Sequence, residues 1–156
     1  MLDIQKVTIE GPALESIKSL FKAYLGELNE DLCFQSFDTE IDNPLYKYSA
    51  PIGALFIAYY NAIPVGCIAL QPLQEPQTCE MKRLYVAPDY RKLGVGDALV
   101  KELLQEAQTL GYTTMKLDTL ERLQAAIKLY LKFGFETVTA YYDNPLPSVV
   151  YMQKKL

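Results

Sequence analysis

The spacing of apolar positions changes period several times along the chain, and each change predicts an element. Residues 3–9, DIQKVTI, predict a first strand that Gly11-Pro12 breaks. From Leu14, the apolar positions Leu14, Ile17, Leu20, Phe21, Tyr24, Leu25 and Leu28 recur at helical spacing. Residues 30–50 mix acidic and aromatic side chains around Asn43-Pro44 and predict a loop with a short helix near 35–43. ALFIAYY, residues 54–60, reads as a buried strand. Asn61 to Pro64 supply a turn, and VGCIALQ returns as the second arm of a hairpin. A loop rich in Gln and Pro leads to a strand over 79–86, CEMKRLYV. The strongest helix covers 94–110, with Val95, Ala98, Leu99, Leu103, Ala107 and Leu110 on one face and Gly111 as a left-handed cap. A strand over 113–119 and a helix over 121–133, closed by Gly134, follow. FETVTAYY and SVVYMQKK finish the chain as two strands.

The order is strand, one or two helices, three strands, helix, strand, helix, two strands. It is neither a strict alternation nor a purely antiparallel run. It predicts an α/β fold with a mixed sheet and helices on both faces. No repeat, low-complexity tract or linker divides the 156 residues, so one domain over 1–156 is expected.

Composition then removes whole classes of function. The net charge is -4 and half of the residues are hydrophobic. Nucleic-acid binding needs clustered Lys and Arg, so no such partner is expected. No run of about 18 apolar residues predicts a membrane span. MLDIQKVTIE lacks the apolar core of a signal peptide. Cys33, Cys67 and Cys79 are odd in number and scattered, which suits reduced thiols in a cytoplasmic protein, with Cys67 and Cys79 on neighbouring strands. The chain has no histidine. Nucleophile systems built on an imidazole base are therefore excluded, and no CxxC pair offers a zinc site. Proton transfer falls to Glu, Asp, Tyr, Lys, Cys or water.

LYVAPDYRKLGVGD, residues 84–97, joins a strand to a helix through two glycines and the basic pair Arg91-Lys92. The first turn of a helix has amides without partners and a positive dipole end, so it attracts anions. Gly94 and Gly96 would let phosphate oxygens approach that backbone. A flexible start to the helix explains the glycines equally well. The spacing is not GxxxxGK[ST], so it is no Walker A loop. Nor is it GxGxxG with an acidic residue about 20 positions on, as a dinucleotide site would need.

VAPDYRKLGVGDALV resembles motif A of the GNAT superfamily of N-acetyltransferases, [QR]xxGx[GA], with Arg91, Gly94 and Gly96 in its defined positions. AAIKLYLKFGFE, residues 125–136, resembles the next motif of that family, A-x-x-L-Y-x-x-x-G-F. Both stand in the right order, and the resemblance covers roughly residues 50–156. It implies a GNAT-like fold: a mostly antiparallel sheet of six or seven strands, splayed between 79–86 and 113–119. It also implies acetyl-CoA as co-substrate in a cytoplasmic, bacterial-type enzyme, with a homodimer left open. Backbone groups of Leu84, Tyr85 and Val86 would pair with the pantetheine arm. Arg91 and the amides of Lys92, Leu93, Gly94, Val95, Gly96 and Asp97 would hold the pyrophosphate, and the thioester would lie in the splay.

Acetyl transfer to an amine needs a neutral nitrogen. An amine of pKa about 10.4 must give up a proton against about 4–5 kcal/mol at pH 7. The resemblance implies Glu80 as general base, directly or through water; a surface strand glutamate paired with Lys82 or Arg83 is the alternative. It implies Tyr130 as the acid for the departing thiolate, against a core tyrosine. Leu123 stands where many members of the family carry an Asn that contacts the cofactor. For the acceptor, a primary amine of a small molecule or peptide, Asp38, Glu40 and Asp42 lie in the region that usually covers the site. Tyr142 and Asn144 lie near its mouth, among tyrosines that include Tyr46, Tyr48, Tyr59, Tyr60 and Tyr141. Carboxylates and aromatic faces suit a cationic amine. Direct transfer is the expected reaction; a non-catalytic CoA-binding module and a longer acyl donor are the rivals.

Overall fold

Leu2–Lys6 (β1), Ala54–Tyr60 (β2), Ile63–Pro72 (β3) and Thr78–Val86 (β4) pair antiparallel in sequence. The fold is seen in a computed structural model that describes residues 1–30 and 37–156. Cys33 and the start of the helix expected near 35–43 lie outside the described residues. Thr114–Leu120 (β5) adds to β4 in parallel, and Val149–Lys155 (β7) and Glu136–Val138 (β6) complete the order β1-β2-β3-β4-β5-β7-β6. The result is the mostly antiparallel seven-stranded sheet that the pattern and the resemblance predicted.

Period-2 patterning sends alternate residues of these strands to two separate cores. One face carries Cys79, Met81, Met115 and Leu117 and is covered by Val95–Thr109 (α4) and Gln124–Lys132 (α5), through Leu99, Leu103 and Tyr130. The other carries Leu55, Ile57, Cys67 and Tyr85. It is covered by Pro12–Leu28 (α1), with Ile17 and Phe21, and by Phe37 of the short helix Phe37–Asp42 (α2). A further short helix, Pro44–Lys47 (α3), sits inside the segment expected to be loop. Cys67 and Cys79 lie on adjacent strands but in opposite cores, and burial pushes the Cys79 thiol up to about 12. Among the described residues no helix is long and apolar enough to cross a membrane.

Two boundaries differ from the sequence expectation. The helix expected from 121 begins at Gln124, because the Glu121 amide is taken by the Ser148 carbonyl and Leu123 closes a turn onto Leu120. The strand expected over 135–142 stops at Val138. Tyr141 and Tyr142 leave the sheet and hydrogen-bond to the carboxylates of Glu80 and Asp118 on other strands.

The splay is visible in the register. β4 and β5 pair only from Thr78 with Thr114 to Glu80 with Lys116. Beyond Glu80, β4 keeps β3 on one side and opens on the other. The β3 pairing steps from Ala69 with Lys82 to Cys67 with Tyr85, so β4 carries one extra residue there. Arg83 sits in this bulge at φ 59, a left-handed conformation that costs a non-glycine residue roughly 1–2 kcal/mol. The bulge turns Lys82 and Arg83 toward the same face, the one under α1 and α2.

Candidate active site

Where β4 leaves β5, a groove of about 630 Å³ opens. Its walls include Leu84, Tyr85 and Val86 from β4, the loop and first turn at Arg91, Lys92, Gly94, Val95, Gly96 and Asp97, and Leu123 and Leu129 from the α5 region. Gly94 takes φ 84 as the N-cap of α4, a conformation open to glycine at little cost. A Cβ on Gly96 would lie 3.3 Å from the Leu129 side chain and 3.9 Å from Val86, inside the groove. The amides of the first α4 turn have no intrahelical partners. The motif glycines thus leave backbone accessible on a groove wall, where a phosphate group fits.

Arg91 lines this groove, but its guanidinium is engaged. Nε donates to the Val86 carbonyl at 2.8 Å and an Nη to Glu27 at 2.5 Å, tying α1 to the end of β4. Its hydrogen bond to Glu27 raises the Arg91 pKa, against a smaller opposing effect of burial. Asp97 is paired with Lys132 of α5. Leu93 is exposed and borders the same loop. Leu123 gives the groove an apolar wall where an Asn would have offered a hydrogen bond.

A second cavity of about 70 Å³, here termed the extension, shares Leu84, Leu123 and Ala126 with the groove and lies in the gap between β4 and β5. Tyr130 and Leu84 border it, and so do Lys82 and Asp118 from the opposite face. Tyr130 stacks edge-on to Phe135, with centroids 5.9 Å apart. Burial pushes its phenol well above the ordinary value, with the nearby Tyr24 and Asp118 adding to the shift. The group therefore stays protonated and able to donate.

Glu80 is buried, at 4% exposed, rather than on the surface. Its oxygens accept from Gln71 Nε2 and from the Tyr141 hydroxyl, both at 2.6 Å. It borders neither the groove nor the extension. Lys82 Nζ lies 3.9 Å from Glu80 Oε1 and 3.9 Å from Asp118 Oδ1. Burial pulls the Lys82 pKa below the usual lysine value, Arg83 adds to this, and the two carboxylates oppose it. Tyr142 and Asn144, expected at the acceptor mouth, both donate to Asp118 Oδ2, at 2.5 and 3.2 Å. Tyr141, Tyr142 and Tyr151 pack edge to face with centroids 5.3–5.7 Å apart.

The other acceptor candidates are dispersed. Asp38, Asp42 and Tyr46 are exposed, and Tyr60 packs on Tyr90 near the α4 side. Tyr48 is fully buried, with its hydroxyl on Glu40. Glu40 pairs with Arg83. Sequence reasoning missed Asp118, and named Lys82 only as an alternative partner of Glu80, a pairing present at 3.9 Å although Glu80 is buried. The available signal was the strand TMKLDT, whose two-residue period puts Lys116 and Asp118 on the face opposite Met115 and Leu117.

The model of the acetyltransferase (GNAT) family matches residues 14–135. An uncharacterized N-acetyltransferase of Schizosaccharomyces pombe is 46% identical over 144 residues, 92% of this chain and 88% of the relative. The crystal structure of an acetyltransferase from Streptococcus agalactiae superposes with a TM-score of 0.81 at 23% identity, covering 99% of this chain and 98% of that one. PaiA N-acetyltransferase from Thermoplasma acidophilum, in complex with coenzyme A, superposes with a TM-score of 0.70 at 18% identity over 100% and 99% of the two chains.

Proposed function

The chain belongs to the acetyltransferase (GNAT) family, and from that premise we propose that it moves an acetyl group from acetyl-CoA directly onto a primary amine of a small molecule or peptide. One observation carries the reading: two cavities that share Tyr24, Leu84, Leu123 and Ala126 as walls lie side by side, one at the first turn of α4 and one at the ionisable cluster in the β4–β5 gap. The unpaired edge of β4 offers the peptide groups of Leu84, Tyr85 and Val86 to the amides of a pantetheine arm. The amides from Lys92 to Asp97 offer donors to its pyrophosphate, and each charge-assisted bond there is worth about 1.5–3 kcal/mol. The acyl end would then lie at the extension, beside Tyr130.

Direct transfer suits the residues around that gap. Cys79 is buried and its thiol is held protonated, so a neutral amine is the better nucleophile. Tyr130 supplies a proton to the departing sulfur. Glu80 is proposed to assist removal of the amine's proton, and since it borders neither cavity it acts through a second group rather than by touching the amine. Leu123 in place of an amide side chain leaves the cofactor one hydrogen bond poorer at the α5 end. Tyr142 and Asn144 shape the acceptor side through Asp118.

Calorimetric titration with acetyl-CoA, and separately with NADH and ATP, tests the cofactor. Micromolar binding of acetyl-CoA alone is expected. Release of free thiol from acetyl-CoA in the presence of cadaverine, tyramine or a trialanine peptide tests the acceptor class. Binding without thiol release on any of them would leave a CoA-binding module instead of a transferase acting on such amines.

A further inference from the structure

Glu80 and Asp118 are both carboxylates on the face under α1, but only Asp118 opens onto the gap. Glu80 takes one hydrogen bond on each oxygen, from Gln71 and Tyr141, and borders neither cavity. Asp118 receives its two hydrogen bonds, from Tyr142 and Asn144, on Oδ2. Its Oδ1 faces Lys82 Nζ at 3.9 Å, beyond hydrogen-bonding distance. A carboxylate oxygen has two lone pairs, so Oδ1 keeps capacity for a donor in the extension. Asp118 borders that extension together with Leu84 and Tyr130.

The local charge points the same way. Two carboxylates, Glu80 and Asp118, share one ammonium, Lys82. The next cation, Arg83, is matched by Glu40. Among the described residues the gap therefore carries two carboxylates and one ammonium, a formal charge of minus one, and this favours a cationic acceptor.

We infer that Asp118 is the residue that touches the acceptor amine and takes a proton from it, with Glu80 acting from behind through Lys82. This rests on the acetyl-transfer reading above. An acceptor that arrives as an ammonium loses two protons on becoming an amide. The first passes to Asp118 and leaves a neutral amine. The nitrogen lone pair forms the C–N bond, the C–S bond breaks, and its electrons go to sulfur. Tyr130 gives its proton to that sulfur and is restored by the second proton from nitrogen. The products are amide and thiol, and Asp118 releases its proton to water when they leave.

The test compares Asp118→Ala, Asp118→Asn and Glu80→Gln, with acetyl-CoA and cadaverine as substrates and free thiol as the readout. Both Asp118 variants are expected to lower kcat at least about a hundredfold, the low end for loss of a proton-transfer group, with KM for acetyl-CoA nearly unchanged. Added formate fits the space left in Asp118→Ala and should restore part of its kcat, while Asp118→Asn should gain nothing. Glu80→Gln should lose less than either Asp118 variant and should not respond to formate. Asp118→Asn keeps the size of the side chain and an oxygen for Tyr142, so it decides the matter if the alanine variant does not fold. A larger loss in Glu80→Gln than in Asp118→Asn, or a folded Asp118→Ala that binds acetyl-CoA without formate rescue, overturns the assignment alone. Wild-type protein that binds acetyl-CoA but acetylates none of the three amines named above overturns the amine reading, and the role of Asp118 with it.

Discussion

Arg83 and Lys82 are neighbours on β4, turned to the same face by one bulge and both buried, yet they are held in different ways. Arg83 grips Glu40 through two nitrogens, at 2.6 and 3.0 Å, and lies 4.4 Å over the Phe37 ring. Glu40 also takes the Tyr48 hydroxyl at 2.8 Å. That cluster is closed, and it ties α2 and α3 to the bulge and holds Arg83 in its left-handed conformation. Lys82 sits 3.9 Å from each of two carboxylates, beside open space in the gap. Burial of a charge therefore does not separate structure from chemistry in this chain. On the proposed reading, what separates them is the cavity beside Lys82 and Asp118, which the Arg83–Glu40 pair does not share through Glu40.

The sharpest way to break the comparison is Glu40→Gln. It takes a bidentate carboxylate away from a buried guanidinium and should cost about 3–5 kcal/mol in urea unfolding. Lys82→Met, at the edge of the cavity, should cost less, because a side chain of similar length can fill the space and no ammonium then needs to be buried. Equal losses would place both clusters in one class. The pair also sets an acid limit. Burial raises the Glu40 pKa, but hydrogen bonding and charge from Arg83, with help from Lys47 and Tyr48, outweigh it and leave the carboxyl below its ordinary value of 4.5. The stabilisation is thus complete above pH 4.5 and is lost as pH falls through the lower folded value. Glu40→Gln should flatten the decline of stability below pH 4.5.

The open region answers to ligand affinity and rate instead. Gly96→Arg places a long side chain in the groove beside Leu129 and Val86. Acetyl-CoA affinity should fall at least about a hundredfold, roughly 2.7 kcal/mol, while the urea midpoint moves little. Unchanged affinity would remove the phosphate cradle from the groove. Tyr130→Phe keeps the ring against Phe135 and removes only the hydroxyl. It should lower kcat about tenfold, roughly 1.4 kcal/mol of barrier, with acetyl-CoA affinity preserved. Equal kcat in the variant would move Tyr130 from the open region to the core.

How far each region was legible follows from the distance over which it is assembled. The strands, the helices α1 and α4 and the glycine loop were readable because their signals are local: a period, a cap, a pair of glycines. The Arg83–Glu40 clamp joins residues 43 positions apart, and nothing in KRLYV or DTEID names the other. Asp118 was hidden for a different reason. A polar residue alternating with Met115 and Leu117 looks like any solvent-facing strand position, until the chain after β6 folds Tyr142 and Asn144 onto it. The same fold-back cut short the strand expected over 135–142, because the hydroxyls of Tyr141 and Tyr142 find carboxylates on other strands that no ladder position offers them. Glu80 was placed on the right strand by the run CEMKRLYV, and the family resemblance pointed to it as a base. Its burial depended on Gln71, its cross-strand partner on β3, and on Tyr141 from beyond β6, which lie on either side of it in sequence.

The smallest effect sits at the rim, where a third kind of charge pair joins the two regions. Arg91 and Glu27 meet at 2.5 Å, but each side chain is 43% exposed. A pair so open to water contributes about 0–1 kcal/mol at most. Glu27→Gln should therefore leave the urea midpoint within error of wild type. It should act on the groove instead. Glu27 competes for the guanidinium that the motif supplies to a phosphate, so removing its charge frees Arg91 and takes a negative charge from the groove wall. Acetyl-CoA should bind a few-fold more tightly in Glu27→Gln, with a steeper weakening as salt rises, because the released cation now counts toward the anion. Arg91→Ala should bind more weakly than wild type, and the double variant should regain much less over Arg91→Ala than Glu27→Gln gains over wild type, since freeing the guanidinium is the larger of Glu27's two effects. A Glu27→Gln protein that binds no tighter, but unfolds at lower urea, would make the rim pair a weaker copy of the Arg83–Glu40 clamp rather than a gate on the groove.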